Sequence, residues 1–140
     1  EAALQEISPK SGLKESLDEV CRWYEQGWTF DRMAETVHQR YHEEEMFDWC
    51  LTIPNAMLVV ACLLCYDNFD DAVTAAVLSG FDTDCNGATV GSIMGAIHGL
   101  KGIDPKWYEA FDGIARTSVH GYHEIPLQEL AERTISLIKE

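Results

Sequence analysis

The sequence predicts an all-α fold, a compact multi-helix bundle, for three reasons. Apolar residues recur at three- and four-residue spacing in every strong segment, which is typical of helices that bury one face. Capping residues and stop signals stand at the ends of these segments. No alternating strand pattern of convincing length occurs among the 140 residues, so no sheet is expected.

Two amphipathic segments and one apolar segment occupy the first half of the chain. The first segment ends before Gly27, and its apolar face consists of Leu13, Leu17, Val20 and Tyr24. Thr29 is placed to cap the second helix, whose apolar positions are Phe30, Met33, Val37 and Tyr41. The third segment runs from about Pro54 to Tyr66 and is apolar all round, which predicts a buried helix. It is shorter than the ~20 residues of a membrane span, so no membrane partner is expected.

Three further helices are predicted around a glycine-rich one. Asn68 caps a helix that ends at Gly80. Asp104, followed by proline, caps a short helix that runs through Phe111. The last helix follows Pro126, and its apolar side consists of Leu127, Leu130, Thr134, Leu137 and Ile138.

The glycine-rich helix places a stripe of small residues on one face. Glycine recurs at every fourth position, namely at Gly87, Gly91, Gly95 and Gly99. Each glycine costs up to ~1 kcal/mol against alanine inside a helix, so the stripe requires a compensating close contact with another backbone. We predict that the buried helix of residues 56–66 supplies that contact, and that the segment before Gly87 is thereby held rigidly.

The charge balance excludes one class of partner. With 24 acidic and 10 basic residues, the chain carries a formal net charge of -14. Phosphate backbones are bound by clustered lysine and arginine, so no nucleic-acid binding is expected.

The cysteines indicate a reducing compartment. Their odd number and irregular spacing do not fit a disulfide framework, so we expect a cytoplasmic protein. Cys62 and Cys65 have the spacing of a zinc half-site or a redox pair, but the surrounding run is apolar and no second Cys or His pair is near in sequence. We interpret them as core thiols.

An acidic segment stands between Gly80 and the glycine-rich helix. Asp82 and Asp84 lie two residues apart, so their carboxylates are placed to share one hard cation such as Mg, Mn or Ca. In the alternative reading, Asp84 only caps the helix and Asp82 is a solvated loop acid. An EF-hand calcium loop is excluded, because its twelfth position must be a bidentate Glu and is Ile93 here.

The histidines offer no second metal centre. His38 and His42 share a helix face at four-residue spacing, which fits a metal pair, but no third ligand is evident. We interpret both as surface residues.

The acidic segment resembles the C-terminal signature of the ADP-ribosylglycohydrolase family. The resemblance rests on residues 80–88, which read Gly-Phe-Asp-Thr-Asp-Cys-Asn-Gly-Ala, followed by Gly-Ser-Ile-Met-Gly-Ala at residues 91–96. Residues 52–56 upstream and 103–107 downstream stand where that family has similar segments. The Asp-Thr-Asp element in this glycine context is specific, and the other segments support it.

The resemblance implies an all-helical hydrolase with two divalent cations, Mg or Mn. Such enzymes cleave the bond between ADP-ribose and a modified side chain or related acceptor. By position, Asp82 and Asp84 match two of the metal ligands. Cys85 stands where a Thr or Ser oxygen often joins them, and its thiol is a softer, poorer ligand for these ions. Phe81 replaces a common second Gly, so its bulk is expected to narrow the approach to the metals.

The resemblance also implies that residues 1–140 are the C-terminal part of a single domain. The family's remaining metal ligands come from an aspartate-rich motif near the N-terminus of a longer chain. Asp70 and Asp71 fit helix capping instead, and the three glutamates at residues 43–45 fit a solvated helix face. We therefore expect an N-terminal half as one partner. The expected substrate is an ADP-ribosylated protein or a small molecule that contains ADP-ribose.

Two alternatives to a hydrolase stay open at this point. The family includes a lens crystallin and other inactive members, so a catalytically inactive relative, structural or ADP-ribose-binding, would keep the fold without the chemistry. A plain helical interaction module without metal is the second alternative.

Overall fold

A computed structural model describes residues 2–43 and 48–138, and the chain divides into two units, Glu1–Ile103 and Asp104–Glu140. The α-helices are α1 (Ala2–Gln5), α2 (Gly12–Glu25), α3 (Phe30–Arg40), α4 (Thr52–Cys65), α5 (Phe69–Leu78), α6 (Thr83–His98) and α7 (Leu127–Ser136). Short 3-10 turns cover Asp48–Cys50, Leu100–Gly102, Pro105–Trp107 and Glu109–Phe111. The strands are β1 (Ile114–Arg116) and β2 (Glu124–Pro126). The all-α class is confirmed, and the grouping of residues 1–140 into a single domain stays a prediction.

Helices α2 and α3 begin at side-chain caps. The hydroxyl of Ser11 accepts a hydrogen bond from the backbone N–H of Lys14 (3.2 Å), and the predicted cap Thr29 accepts one from Arg32 (3.4 Å). The buried positions of α2 are Ser16, Leu17, Val20 and Trp23. Those of α3 are Phe30, Met33, Ala34 and Val37. The predicted faces are confirmed at Leu17, Val20, Phe30, Met33 and Val37. Tyr24 is 45% exposed and the neighbouring Trp23 is buried in its place, while Leu13 and Tyr41 are half-buried and Tyr41 lies beyond the end of α3.

Helix α4 lies at the centre of the first unit. It contacts α2, α3, α5 and α6, and Met57, Leu58 and Cys62 along it are fully buried. Burial raises the pKa of the Cys62 thiol to about 12, so this sulfur stays protonated at neutral pH and is a core thiol as predicted. Helix α4 has 14 residues, and no helix of the described residues is long and apolar enough to cross a membrane.

The glycine stripe of α6 lies against α5, and the predicted partner of the stripe is therefore wrong. A Cβ at Gly87 would lie 2.9 Å from Cγ2 of Val77, and a Cβ at Gly91 would lie 3.6 Å from Cγ2 of Val73. Both valines belong to α5. The short connection between α5 and α6 brings these sequence neighbours side by side, and α4 contacts α6 elsewhere. The close helix contact itself is confirmed.

The second unit contains a strand pair that the sequence pattern did not predict. β1 and β2 pair antiparallel with Ala115 opposite Ile125, and Ile125 is buried. Each strand has only three residues, too few to show an alternating pattern. The carboxylate of Asp104 caps its turn as predicted, accepting from the backbone N–H of Lys106 (2.9 Å). The segment through Phe111 forms 3-10 turns and not an α-helix.

Replacing Gly95 with alanine is expected to stabilise the chain. The new Cβ would meet Cδ1 of Ile103 at 3.7 Å, an ordinary van der Waals distance, and the helix would lose a flexible residue. The expected gain is up to ~1 kcal/mol in the free energy of unfolding. Gly87→Ala is the matched comparison, because its Cβ would lie 2.9 Å from Val77 and force a displacement. Urea unfolding measures both variants, and equal stabilisation would contradict the close packing of α6 on α5.

Candidate metal centre

The three predicted ligands come together at the start of α6. Carboxylate oxygens of Asp82 and Asp84 and the sulfur of Cys85 all lie within 4.8 Å of one another. Asp82 directly precedes the helix and the other two residues lie in its first turn, so one turn of backbone brings all three to the helix end. Within residues 2–43 and 48–138, this is the only group of three or more His, Cys, Asp or Glu side chains arranged to hold one ion.

One carboxylate oxygen of Asp82 is buried without a hydrogen-bond partner. Asp82 occupies the N-cap position of α6, but its side chain makes no capping hydrogen bond. Its Oδ1 atom is buried, and no described residue donates to it. A buried carboxylate oxygen without a donor is costly unless a cation compensates its charge, so this atom fits a metal ligand. The alternative in which Asp84 caps α6 is wrong, because Asp82 holds that position.

The acidic surroundings favour the protonated form of Cys85. A hydrogen bond to Asp82 and the negative charge of the same carboxylate raise the pKa of the exposed Cys85 thiol, and the charge of Asp84 adds to the effect. A divalent ion reverses this balance, because a thiol that binds a metal loses its proton. Sulfur prefers softer ions, so a donor set of two carboxylates and one thiol suits Mg less well than three oxygens would.

The N-terminal end of α6 favours negative charge. The first N–H groups of a helix have no partner inside the helix, and the aligned peptide dipoles place partial positive charge there. The backbone N–H of Asn86 donates a hydrogen bond to the backbone carbonyl oxygen of Asp82 (2.8 Å). Helix α6 therefore lowers the cost of holding two carboxylates close together before any cation is bound.

Asn55 ties this helix end to the central helix α4. Its Oδ1 accepts hydrogen bonds from the backbone N–H of Asp82 (3.0 Å) and from Nδ2 of Asn86 (2.7 Å). Its Nδ2 donates to the backbone carbonyls of Trp49 (2.9 Å) and Leu51 (2.8 Å). Asn55 had no predicted role in the site. Two signals could have identified it: a polar amide in the first turn of a largely apolar helix, and its position within residues 52–56, where the family has a similar segment.

The connection before Asp82 has an uncommon backbone conformation. Gly80 has φ +77° and Phe81 has φ +55°, both in the left-handed region. For a residue with a side chain, this region costs ~1–2 kcal/mol, which explains why glycine is usual at such a position. The Phe81 ring is 6% exposed and packs against the ring of His38. It does not line the cavity beside the cluster, so the described structure does not show the expected narrowing of the approach.

A cavity of about 380 Å³ opens beside the cluster. One part of its wall is polar and includes Asn55, Asp82, Cys85 and Asn86. Another part is apolar and comes from α4, with Ala56, Val59 and Val60. The cavity thus offers both hydrogen-bonding groups and an apolar surface next to the candidate ligands. A larger cavity of about 450 Å³ between α3 and α5 contains none of the three predicted ligands.

Glu43 and His38 differ from their sequence interpretation, whereas His42 is exposed as predicted. Helix α3 ends at Arg40, so His42 does not share a helix face with His38. His38 is not a free surface residue, since its Nε2 donates to the backbone carbonyl of Ser79 (2.7 Å). Glu43 does not lie on a helix, and its carboxylate accepts a hydrogen bond from the N–H of Phe81 (2.9 Å). Residues 44–45 lie outside the described residues.

Asp70 and Asp71 lie in the first turn of α5, at the helix end where they were predicted. The N–H of Asp71 donates to the Asn68 side chain (2.9 Å), so Asn68 caps α5 with both acids in its first turn. Among the described residues, neither Asp70 nor Asp71 belongs to a group of side chains arranged to hold an ion.

Comparison with known proteins gives one match. The family model described as ADP-ribosylglycohydrolase matches residues 1–139, essentially the whole chain. No curated protein and no solved structure matches the chain.

Asn55→Ala is expected to lower the free energy of unfolding by ~1–3 kcal/mol, because the N–H of Asp82 and the buried side chain of Asn86 lose their acceptor. Gln39→Ala is the control. It removes an exposed amide whose side chain bonds Glu35, and it should change stability by less than ~0.5 kcal/mol. Chemical denaturation measures both variants. An Asn55→Ala effect as small as that of the control would contradict the anchoring role.

Proposed function

Because the chain belongs to the ADP-ribosylglycohydrolase family, we propose that it takes part in cleaving the glycosidic bond between ADP-ribose and an acceptor. The acceptor is a protein side chain or a related group, and the substrate is an ADP-ribosylated protein or a small molecule that contains ADP-ribose. The observation that carries the proposal is the cluster of Asp82, Asp84 and Cys85, in which one buried oxygen of Asp82 accepts no hydrogen bond from any described residue.

The proposed cofactor is a pair of divalent cations, Mg or Mn. Asp82 and Asp84 would hold them, with Cys85 as a third, softer ligand. When bound, such cations supply Lewis acidity toward the ribose hydroxyls and lower the pKa of a coordinated water. Asp82 and Asp84 are then ligands and do not move protons. No residue of this chain is assigned as the general base.

The cluster supports the proposal that this chain supplies one half of the metal site. Magnesium takes about six oxygen ligands in near-octahedral geometry, and two such ions need more donors than the three side chains here. Asp84 and Cys85 are exposed, so the cluster is accessible to ligands from elsewhere. In the proposal, the remaining ligands come from an N-terminal half of the domain.

The charge of the chain also bears on how a substrate would be bound. ADP-ribose carries a diphosphate, and the chain has a formal charge of -14, so their long-range interaction is repulsive. Cations at the cluster would offset this repulsion where the substrate must approach. The polar wall with Asn55 and Asn86 offers neutral hydrogen-bonding groups beside the cluster.

Cys85 gives some support to a second candidate function. A protonated thiol in a ligand position weakens binding of hard cations, so a non-catalytic, crystallin-like or ADP-ribose-binding relative fits this one substitution. Release of free ADP-ribose from a modified protein by the completed domain separates the two. An active enzyme releases it in a metal-dependent manner, whereas an inactive relative releases none.

The double variant Asp82→Ala plus Asp84→Ala is expected to lose Mn²⁺ binding, because it removes both carboxylate ligands. In the domain completed by its N-terminal half, Mn²⁺ should raise the melting temperature by mass action, and this rise should vanish when the completed domain carries the double variant. Asp31→Ala plus Asp67→Ala removes two exposed acids away from the cluster and should keep the rise. An unchanged Mn²⁺ affinity in the cluster variant would rule out the proposed metal centre.

Cys85→Ser is expected to shift metal preference toward Mg²⁺. The substitution replaces the sulfur with a hydroxyl oxygen, which is the harder ligand. Calorimetric titration with Mg²⁺ and Zn²⁺ should show tighter Mg²⁺ binding and weaker Zn²⁺ binding than in the wild-type chain. Cys21→Ser changes a half-buried cysteine of α2 that neither belongs to the ligand group nor lines the cavity beside it, and it serves as the control. Identical selectivity in Cys85→Ser and the wild type would show that the thiol is not a ligand.

A further inference from the structure

We propose that His38 and Glu43 are positioning residues for the metal centre, because together they hold Phe81 in its left-handed backbone conformation next to Asp82. We call this pair of side chains the brace. The role rests on the proposed function, in which Asp82 and Asp84 bind the cations.

Phe81 is the residue that requires a brace. Its φ of +55° lies in a region that bulky side chains rarely adopt, and it connects Gly80 directly to Asp82. Without outside contacts, this residue would relax toward the conformations that side chains prefer. That relaxation would rotate the peptide group in front of Asp82 and change the direction of its carboxylate.

Glu43 contacts the strained segment directly. Its Oε2 accepts a hydrogen bond from the N–H of Phe81 (2.9 Å), and its Oε1 lies 3.0 Å from Nδ1 of His38. A Cβ at Gly80 would lie 3.0 Å from Oε1 and 3.3 Å from Oε2 of the same carboxylate. Glycine at position 80 therefore lets the carboxylate lie against the backbone.

His38 completes the brace around the same segment. Its Nε2 donates to the backbone carbonyl of Ser79 (2.7 Å). Its ring packs on that of Phe81, with centroids 4.8 Å apart and planes inclined by 32°. His38 thus contacts the residues on either side of Gly80, and its other ring nitrogen, Nδ1, lies beside the Glu43 carboxylate.

The brace and Asn55 hold two consecutive peptide groups. Glu43 binds the N–H of Phe81 and Asn55 binds the N–H of Asp82, so each is bound by a side chain from a different part of the chain. Helix α6 keeps its packing on α5 and α4 when the brace is removed, because those contacts lie along its length. Removal should therefore affect the geometry of the ligand cluster more than the fold.

Calorimetric Mn²⁺ titration of the domain completed by its N-terminal half tests the brace, with each variant compared in that completed form. Glu43→Ala is expected to weaken binding about tenfold, which corresponds to ~1.4 kcal/mol, with a melting temperature close to that of the wild type. Glu43→Gln keeps an oxygen that accepts from the N–H of Phe81, so it should recover most of the affinity. Glu35→Ala removes a carboxylate on α3 whose partner is Gln39, and it should leave the affinity unchanged.

Phe81→Gly in the Glu43→Ala background is the sharper test. Glycine adopts the left-handed conformation without strain, so this double variant should regain Mn²⁺ affinity. A merely structural role for Glu43 predicts no such rescue. In the metal-free protein, hydrogen exchange at the amide of Phe81 should be about tenfold faster in Glu43→Ala than in the wild type.

The outcomes separate this inference from the proposed function. Tight Mn²⁺ binding by both the wild type and Glu43→Ala overturns the positioning role and leaves the metal centre standing. Absence of Mn²⁺ binding by the wild type overturns the metal centre and the positioning role with it. Failure of Phe81→Gly to rescue Glu43→Ala overturns the brace, because strain at Phe81 is then not what Glu43 offsets.

Discussion

The geometry of the cluster depends on the hydrogen bonds that the Asn55 carboxamide makes. It joins the turn before α4, the peptide of Asp82 and the side chain of Asn86 through four hydrogen bonds. Since α4 is buried among four other helices, the start of α6 is fixed relative to the core of the first unit. Buried polar groups need partners, and here satisfying them also aligns two carboxylates.

Close packing of α5 and α6 imposes the second constraint. The glycines of α6 lower the helix propensity of this segment. Because they have no side chain, Val73 and Val77 of α5 can lie close to the α6 backbone. The chain must then turn from one helix into the next within a few residues, and Gly80 and Phe81 do so with left-handed conformations. The strain at Phe81 is thus connected to the packing that places Asp82 and Asp84 at the helix end. Glu43 and His38 both contact this turn at Phe81, the residue with a side chain that holds a positive φ there.

Electrostatics gives the cluster its chemical character. The carboxylate of Asp82 raises the pKa of the Cys85 thiol, and within residues 2–43 and 48–138 no group donates a hydrogen bond to the buried Oδ1 of that carboxylate. The N-terminal end of α6 offsets part of this negative charge, but a helix end carries only about half of an elementary charge. A divalent cation would compensate the rest, deprotonate the thiol and reduce the repulsion between the acidic chain and a diphosphate substrate.

Local signals determined most of the helices and the identity of the candidate carboxylate ligands. The spacing of apolar residues and the caps Thr29 and Asn68 predicted α3 and α5, because helix formation depends on residues within a few positions of one another. The three-residue strands were missed because they are too short to carry a pattern. Asp82 and Asp84 could be named in advance from their spacing of two residues, whereas Cys85 was named only through the resemblance to the family. One helical turn is enough to bring the three side chains together.

Only the tertiary structure decided which helix packs on the glycine stripe and which side chains hold the turn before Asp82. Asn55 lies 27 positions from Asp82, and Glu43 lies 38 positions from Phe81. Contacts over such separations depend on how complete helices pack against one another, and no local spacing in the sequence encodes that packing.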